Sequence, residues 1–166
     1  MPSLRTVLPI AIVVALLAAA AAQLRRDDDS DGVVSGAVVR VIDGDTITVR
    51  VGGRVERVRY IGVDTPESVK PDTPVQCFAE AAHAFNARLV AKRRVRLVTD
   101  AERRDRYGRL LAYVYRDDDG LLVNAELVRR GYAQTLTIPP NVRFASRFRT
   151  LARRARAAGT GLWGAC

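Results

Sequence analysis

Two runs that alternate apolar and polar residues, Thr46 to Val51 and Val55 to Val63, flank the pair Gly52-Gly53. Glycine tolerates the positive φ angles of a two-residue turn, so this stretch predicts an antiparallel hairpin. In the first arm Ile47, Val49 and Val51 share a face, with Thr46, Thr48 and Arg50 opposite. In the second, Val58 and Tyr60 oppose Arg57 and Arg59. A Val-rich run, Val33 to Ile42, ends at the turn pair Asp43-Gly44 and completes a three-stranded meander. Carboxylates gather at its ends: Asp43 and Asp45 before the second strand, Asp64 and Glu67 after the third.

Pro66, Pro71 and Pro74 mark the next stretch as loop. Phe78 to Ala91 then has helical spacing, with Phe78, Ala82, Phe85 and Leu89 on one stripe. Arg94 to Thr99 and Leu110 to Tyr115 read as strands separated by the charged loop from Asp100 to Gly108. Asn124 is expected to cap a short helix that ends at Gly131 and turns Leu127 and Val128 inward. A last helix, Arg143 to Ala158, carries Phe144, Phe148, Leu151, Ala155 and Ala158 on a stripe and six arginines elsewhere. Five short strands, with helices after the third and after the fifth, predict a mixed α+β, mainly β chain: a five-stranded OB-fold barrel with three helices. Such a barrel does not by itself fix a function.

With 166 residues, 48% of them hydrophobic and 27% charged, the chain is expected to form one folded domain with short appendages. The net charge of +9 favours a polyanionic partner, nucleic acid or an anionic surface. Residues 1–22 place Arg5 before an apolar run, Val7 to Ala22, in the order of a secretory signal. That run is shorter than the ~20 residues of a usual membrane span, so cleavage near Ala22 is favoured over a retained anchor. Arg25 and Arg26 directly after it keep the anchor reading open. Residues 23–32 are an acidic, polar linker, leaving 33–166 as the folded domain. Cys77 and Cys166 are the only cysteines; in an exported protein an even count favours a disulfide, with two free thiols as the alternative.

The candidate chemistry follows from what the chain has and lacks. Its single histidine, His83, sits in mid-helix with no partner ring and reads as an ordinary helix residue, which disfavours histidine-pair mechanisms. Oxygen ligands remain, and they suit a hard cation such as calcium. Antiparallel pairing brings Asp45 and Asp64 together, and Glu67 lies three residues on, across a turn stiffened by Pro66. Glu67 is then the candidate to orient or deprotonate a water. Arg59 and Arg109 offer planar, bidentate donors for phosphate oxygens. Taken singly, Asp43-Gly44 and Asp64-Thr-Pro-Glu67 are also plain turn chemistry. Their combination around one hairpin favours a site.

Ile42-Asp-Gly-Asp-Thr46, Arg59 with Val63-Asp-Thr-Pro-Glu67, Asp105-Arg-Tyr-Gly-Arg109 followed by Leu111-Ala-Tyr-Val-Tyr115, and Val123-Asn124 with Leu127-Val-Arg-Arg-Gly131 together resemble the thermonuclease (staphylococcal nuclease) family. The resemblance runs in order from about Val34 to Trp163. It implies an OB-fold barrel with three helices and a calcium-dependent phosphodiesterase acting on DNA and RNA; with the signal-like residues 1–22, the expected function is an exported endonuclease with little sequence specificity. By matching position it implies Asp45, Asp64 and the Thr65 carbonyl as calcium ligands, with Asp43 supporting them from behind. Glu67 would be the base or water-positioning group. Arg59 and Arg109 would hold the phosphate and its transition state, and Arg106 and Tyr107 would contact the substrate. Cys77 and the Leu162-Trp-Gly-Ala-Cys166 ending resemble secreted members in which such cysteines pair. No protein partner is implied, and a monomer is expected. In one respect the chain departs from the pattern: Thr135-Leu-Thr-Ile-Pro-Pro-Asn141 lacks the two tyrosines that line the nucleotide pocket of the best-known member. The alternative is a non-catalytic nucleic-acid-binding module of the same fold; its lineages have lost these carboxylates or arginines, which this chain retains.

Overall fold

A computed structural model describes residues 32–67 and 74–166. The signal or anchor segment 1–22 and nearly all of the linker 23–32 lie outside the described residues. Strands β1 (Val33–Val41), β2 (Thr46–Val51) and β3 (Arg54–Tyr60) form the expected meander, with Gly52-Gly53 at the tip of the β2–β3 hairpin. The remaining elements are β4 (Val63–Asp64), α1 (Ala79–Val90), β5 (Arg94–Val98), β6 (Leu110–Arg116), α2 (Val123–Arg129), β7 (Gln134–Thr135), α3 (Ala145–Ala157) and the single turn α4 (Leu162–Ala165). The barrel closes in the order β1-β2-β3-β6-β5, and β4 pairs separately with β7.

The interior is filled by the apolar face of each strand. Ile47 and Val49 of β2, Val58 and Tyr60 of β3, Val95 and Leu97 of β5, and Ala112 and Val114 of β6 are all buried, the period-two pattern that a barrel requires. Helix α2 packs Leu127 and Val128 into the same core, as expected. On α3, Phe148 and Ala155 are buried while Ala158 is exposed, so the apolar stripe ends sooner than its spacing implied.

Two local readings are corrected. The third strand does not run unbroken to Val63: it stops at Tyr60, turns through Ile61-Gly62, and resumes as β4. Gly62 has φ +80, and a Cβ there would lie 2.7 Å from the Phe148 ring, so only glycine allows both the turn and the packing of α3 against it. Asn124 does not cap α2. It lies within the helix, fully buried, where its Oδ1 accepts from the Val114 N–H at 2.8 Å and its Nδ2 donates to the Ile61 carbonyl at 2.9 Å. The amide thus satisfies a backbone N–H of β6 and a carbonyl of the turn after β3, groups that burial would otherwise leave unpaired.

Candidate active site

The hairpin delivers the acidic residues. Tyr60 N–H donates to the Asp45 carbonyl at 2.9 Å, so the start of β2 is stitched to the end of β3. Asp45 is only 4% exposed. Its Oδ2 accepts from the Thr65 N–H at 2.9 Å and the Thr65 hydroxyl at 3.1 Å, and lies 2.8 Å from Arg59 Nη1. Close approach of the two segments depends on Gly44, where a Cβ would meet the Thr65 side chain at 2.6 Å. Asp43 stands behind: its Oδ1 accepts from the Asp45 N–H at 3.0 Å, and its carbonyl accepts from Asn86 Nδ2 at 2.9 Å. The Asn86 Oδ1 in turn accepts from the Tyr60 hydroxyl at 3.0 Å, so α1 fixes the acidic turn through one buried amide. Burial, seconded by Asp45 and Asp43, pushes the Tyr60 hydroxyl well above the usual tyrosine range, although its bond to Asn86 pulls the other way, and the phenol stays a donor.

Arg59 is the hub of this corner. Beyond Asp45, its Nη1 donates to the Val63 carbonyl at 2.9 Å and its Nη2 to Asp64 Oδ1 at 2.8 Å. The Asp64 side chain is 57% exposed, against 6% for that of Asp45, so one aspartate faces solvent while the other is enclosed. Burial pushes the Asp45 carboxyl up to about 7; Arg59 pulls it down and the charge of Asp43 adds to the rise. A cation at this position favours the ionised form for the same electrostatic reason as Arg59. Glu67 follows on the loop, where its N–H donates to Gln76 Oε1 at 2.8 Å and its carbonyl accepts from the Gln76 N–H at 3.1 Å. These bonds pin the base of the Glu67 side chain.

Arg109 arrives from the other side because β3 and β6 are parallel, pairing Arg59 with Leu111. Residues 109 and 111 share a face by strand alternation, so both arginines lie on one side of the sheet. Asp105 organises the preceding turn. Its carboxylate accepts from the N–H groups of Tyr107 and Arg109 at 2.9 and 3.0 Å and from Arg109 Nε at 2.7 Å. Partial burial pushes Asp105 upward, but these bonds outweigh it and hold the carboxyl below its usual range. Arg106 and Tyr107 sit at the tip, with Arg106 Nη2 donating to the Tyr107 hydroxyl at 2.6 Å and both arginines over the Tyr107 ring, at 4.8 and 5.6 Å. The ring is 68% exposed and presents its surface to solvent.

Asp43, Asp45, Thr46, Arg59, Asp64, Thr65, Glu67 and Arg109 line a single polar cleft of about 60 Å³. It adjoins an open pocket of about 460 Å³ that shares Arg59 and Arg109 and is walled by Tyr107, Leu111, Leu136 and Ile138. Every candidate site residue named from the sequence lines one of these two spaces, apart from the cysteines. Sequence reasoning missed Asn86, Asp105 and Asn141. The last accepts from the Glu102 N–H and donates to the Glu102 carbonyl, at 2.8 and 2.9 Å, tying the two loops that frame the larger pocket. Cys77 and Cys166 are joined as a disulfide with Cα atoms 6.1 Å apart. His83 is half-buried on α1 and lines neither space.

The staphylococcal nuclease homologue family matches residues 57–165 of this chain. The chain belongs to that family. It is 50% identical over 107 residues to a thermonuclease of Staphylococcus intermedius, covering 64% of this chain and 62% of that relative. It is 40% identical over 126 residues to a thermonuclease of Staphylococcus hyicus, covering 76% of this chain and 73% of the relative. With endonuclease YncB of Bacillus subtilis (strain 168) it shares 41% identity over 126 residues, 59% of that protein's length. The chain thus spans less than two thirds of the first and third of these relatives. The nuclease-family match includes Arg59, Asp64, Glu67 and Arg109, whereas Asp43 and Asp45 precede it and join the site through the hairpin.

The donors in the polar cleft test whether a metal fits this nuclease-family site. Its non-arginine side chains offer only carboxylate and hydroxyl oxygen, the donor set of a hard cation and a poor one for zinc or copper. Among the described residues no three metal-binding side chains converge on one point. Asp45 and Asp64 instead hold the Arg59 guanidinium between them.

Proposed function

We propose that the protein is an exported, calcium-dependent endonuclease that hydrolyses phosphodiester bonds of DNA and RNA with little sequence specificity. The observation that carries this reading is the convergence of Asp45, Asp64, Glu67, Arg59 and Arg109 on one polar cleft. The names of the thermonuclease and endonuclease relatives support it. So does the signal-like order of residues 1–22.

In this reading Asp45, Asp64 and the Thr65 carbonyl hold calcium, and Asp43 positions Asp45 through its backbone N–H. The ion, when bound, supplies positive charge that favours a nucleophilic water and a phosphate at the same place. Arg59 and Arg109 grip the non-bridging phosphate oxygens, where a planar guanidinium can bond two at once. Their charge matters most as negative charge builds on the phosphoryl oxygens in the transition state. Glu67 accepts the proton of the attacking water, the water oxygen bonds to phosphorus, and the bond to the leaving sugar oxygen breaks. Arg106 and Tyr107 hold the neighbouring nucleotide at the rim. Leu136 and Ile138 contact the base with apolar side chains, which read no hydrogen-bond pattern and so fit weak base selectivity. In an oxidising compartment the Cys77–Cys166 bond fastens the C-terminal turn to the loop ahead of α1.

Incubating the purified chain with plasmid DNA and with RNA over a range of calcium concentrations tests the reading. Progressive shortening of both polymers is expected. Both remaining intact at every calcium concentration would refute it.

A further inference from the structure

Beyond Glu126 the chain contains no acidic residue: residues 127–166 carry eight arginines and neither Asp nor Glu. Three of those arginines meet in one place. Arg149, Arg153 and Arg156 recur at helical spacing on α3 and, with Gln134, Thr135, Ala152 and Trp163, line a groove of about 210 Å³. None of the three has a carboxylate within ion-pair distance among the described residues. Elsewhere the same chain pairs its arginines freely, as at Arg104 with Glu56 and Arg129 with Glu126.

Trp163 closes one side of the groove. Its Nε1 is buried and is the one such side-chain polar atom among the described residues without a hydrogen-bond partner. That atom is closed to the groove, so the donors open to a ligand there are those of Arg149, Arg153 and Arg156 with Gln134 and Thr135. The Arg156 guanidinium lies 4.1 Å from the centre of the Trp163 ring, covering a face on which a base would otherwise stack. Donors converge here and a stacking surface does not, which selects an anion over a nucleobase. The groove also borders the cleft: Gln134, on its wall, pairs in register with Asp64, and paired strands lie only ~4.8 Å apart.

We propose that this groove is a second phosphate-binding site, which holds the sugar-phosphate backbone of a nucleic-acid strand outside the cleavage cleft. The inference rests on nucleic acid being the substrate, and it makes long strands bind more tightly than fragments that fill only the cleft. Because each phosphate contact to a single strand contributes a salt slope of ~0.7, removing two arginines should lower the slope of log affinity against log salt by about 1.4.

Trp163 is the chain's only tryptophan, so its fluorescence reads occupancy of the groove directly. The purified chain, in chelator to prevent cleavage, is titrated with a 30-nucleotide single strand at several salt concentrations. The same titration is made on Arg149→Gln/Arg153→Gln and on the charge-matched control Arg147→Gln/Arg154→Gln, which alters exposed residues of the same helix away from the groove. The expected result is a change in Trp163 emission on binding, and a salt slope reduced by about 1.4 in the groove variant and by clearly less in the control. Equal reductions in both variants, or binding with no change in emission, would overturn the proposal. Absence of nuclease activity in calcium, together with groove-dependent binding in chelator, would sink the cleavage reading and leave this site standing.

Discussion

The Arg59 guanidinium donates to Asp64 Oδ1 at 2.8 Å while its other terminal nitrogen lies 2.8 Å from Asp45 Oδ2. One arginine therefore spans the exposed and the buried aspartate of the site, and in the proposed function it also faces an incoming phosphate. Arg59→Gln should lower the rate of DNA cleavage by about 10²-fold or more, on the order of 3 kcal/mol of transition-state stabilisation. It should also leave the buried Asp45 carboxylate without its cation, a loss of about 3 kcal/mol for a buried pair. Chemical denaturation in chelator and in calcium reads the second effect: the deficit is expected in chelator and is expected to shrink in calcium.

Glu67→Gln keeps the shape of the side chain and removes its ability to take a proton. Turnover should fall by about 10²- to 10⁴-fold, the usual contribution of a general base. Affinity for a single-stranded oligonucleotide, measured by fluorescence anisotropy in chelator, should stay within a factor of a few. Equal activity in the variant would remove Glu67 from the mechanism.

Much of this architecture was legible in the sequence, and the reasons are local. The β2–β3 hairpin is half-buried with a glycine turn, so alternation at Ile47, Val49, Val58 and Tyr60 reports burial directly. The aspartates stood out because they cluster at strand ends. The break at Gly62 was not legible, since a lone glycine in an alternating run looks the same whether the strand bends there or continues. Asn124 departs from the expectation because asparagine is favoured at helix caps, and nothing in one sequence separates a cap from a buried amide that serves backbone groups of β6 and of the turn after β3. Asn86 lies in mid-helix, where the sequence does not show that its amide faces Tyr60 and the Asp43 turn. The sequence puts the arginines of α3 off its apolar stripe, and only the fold places Trp163 and β7 beside three of them.

Asn86 joins Tyr60 to the Asp43 turn, so Asn86→Leu should leave a buried hydroxyl and a carbonyl unpaired. A loss of about 1–3 kcal/mol is expected for each group left unsatisfied. Urea unfolding monitored by circular dichroism measures it, and a variant as stable as the parent would show that the amide has no structural role.

Asp105 supplies a pH signature. Its folded-state carboxyl titrates below the usual range, so the unfolded chain binds the proton more readily. The stability it contributes is complete above the unfolded value of about 4 and is lost as pH falls through the folded one. Asp105→Asn should therefore lower the urea midpoint at pH 6 and close the gap to the parent as pH falls below about 4. The same variant should slow cleavage, because Arg109 loses the carboxylate that aims its Nε.

The apolar wall of the larger pocket can be tested by adding an aromatic ring. Ile138→Tyr places a stacking surface on a half-open residue that is 58% exposed. Base stacking is worth ~1–3 kcal/mol, so affinity for a short oligonucleotide should rise about tenfold or more. Unchanged affinity would show that bases do not reach this wall.

In the proposed function Asp45 and Asp64 bind the calcium on which cleavage depends. The direct measurement is the initial rate of cleavage of a fluorescently labelled oligonucleotide as calcium is titrated, for the parent chain and for Asp64→Asn. Calcium ligation by these two aspartates predicts no cleavage in excess chelator, recovery on adding calcium, and at least a tenfold higher calcium requirement in the variant. Cleavage that persists in chelator, or a variant with the calcium dependence of the parent, would contradict it.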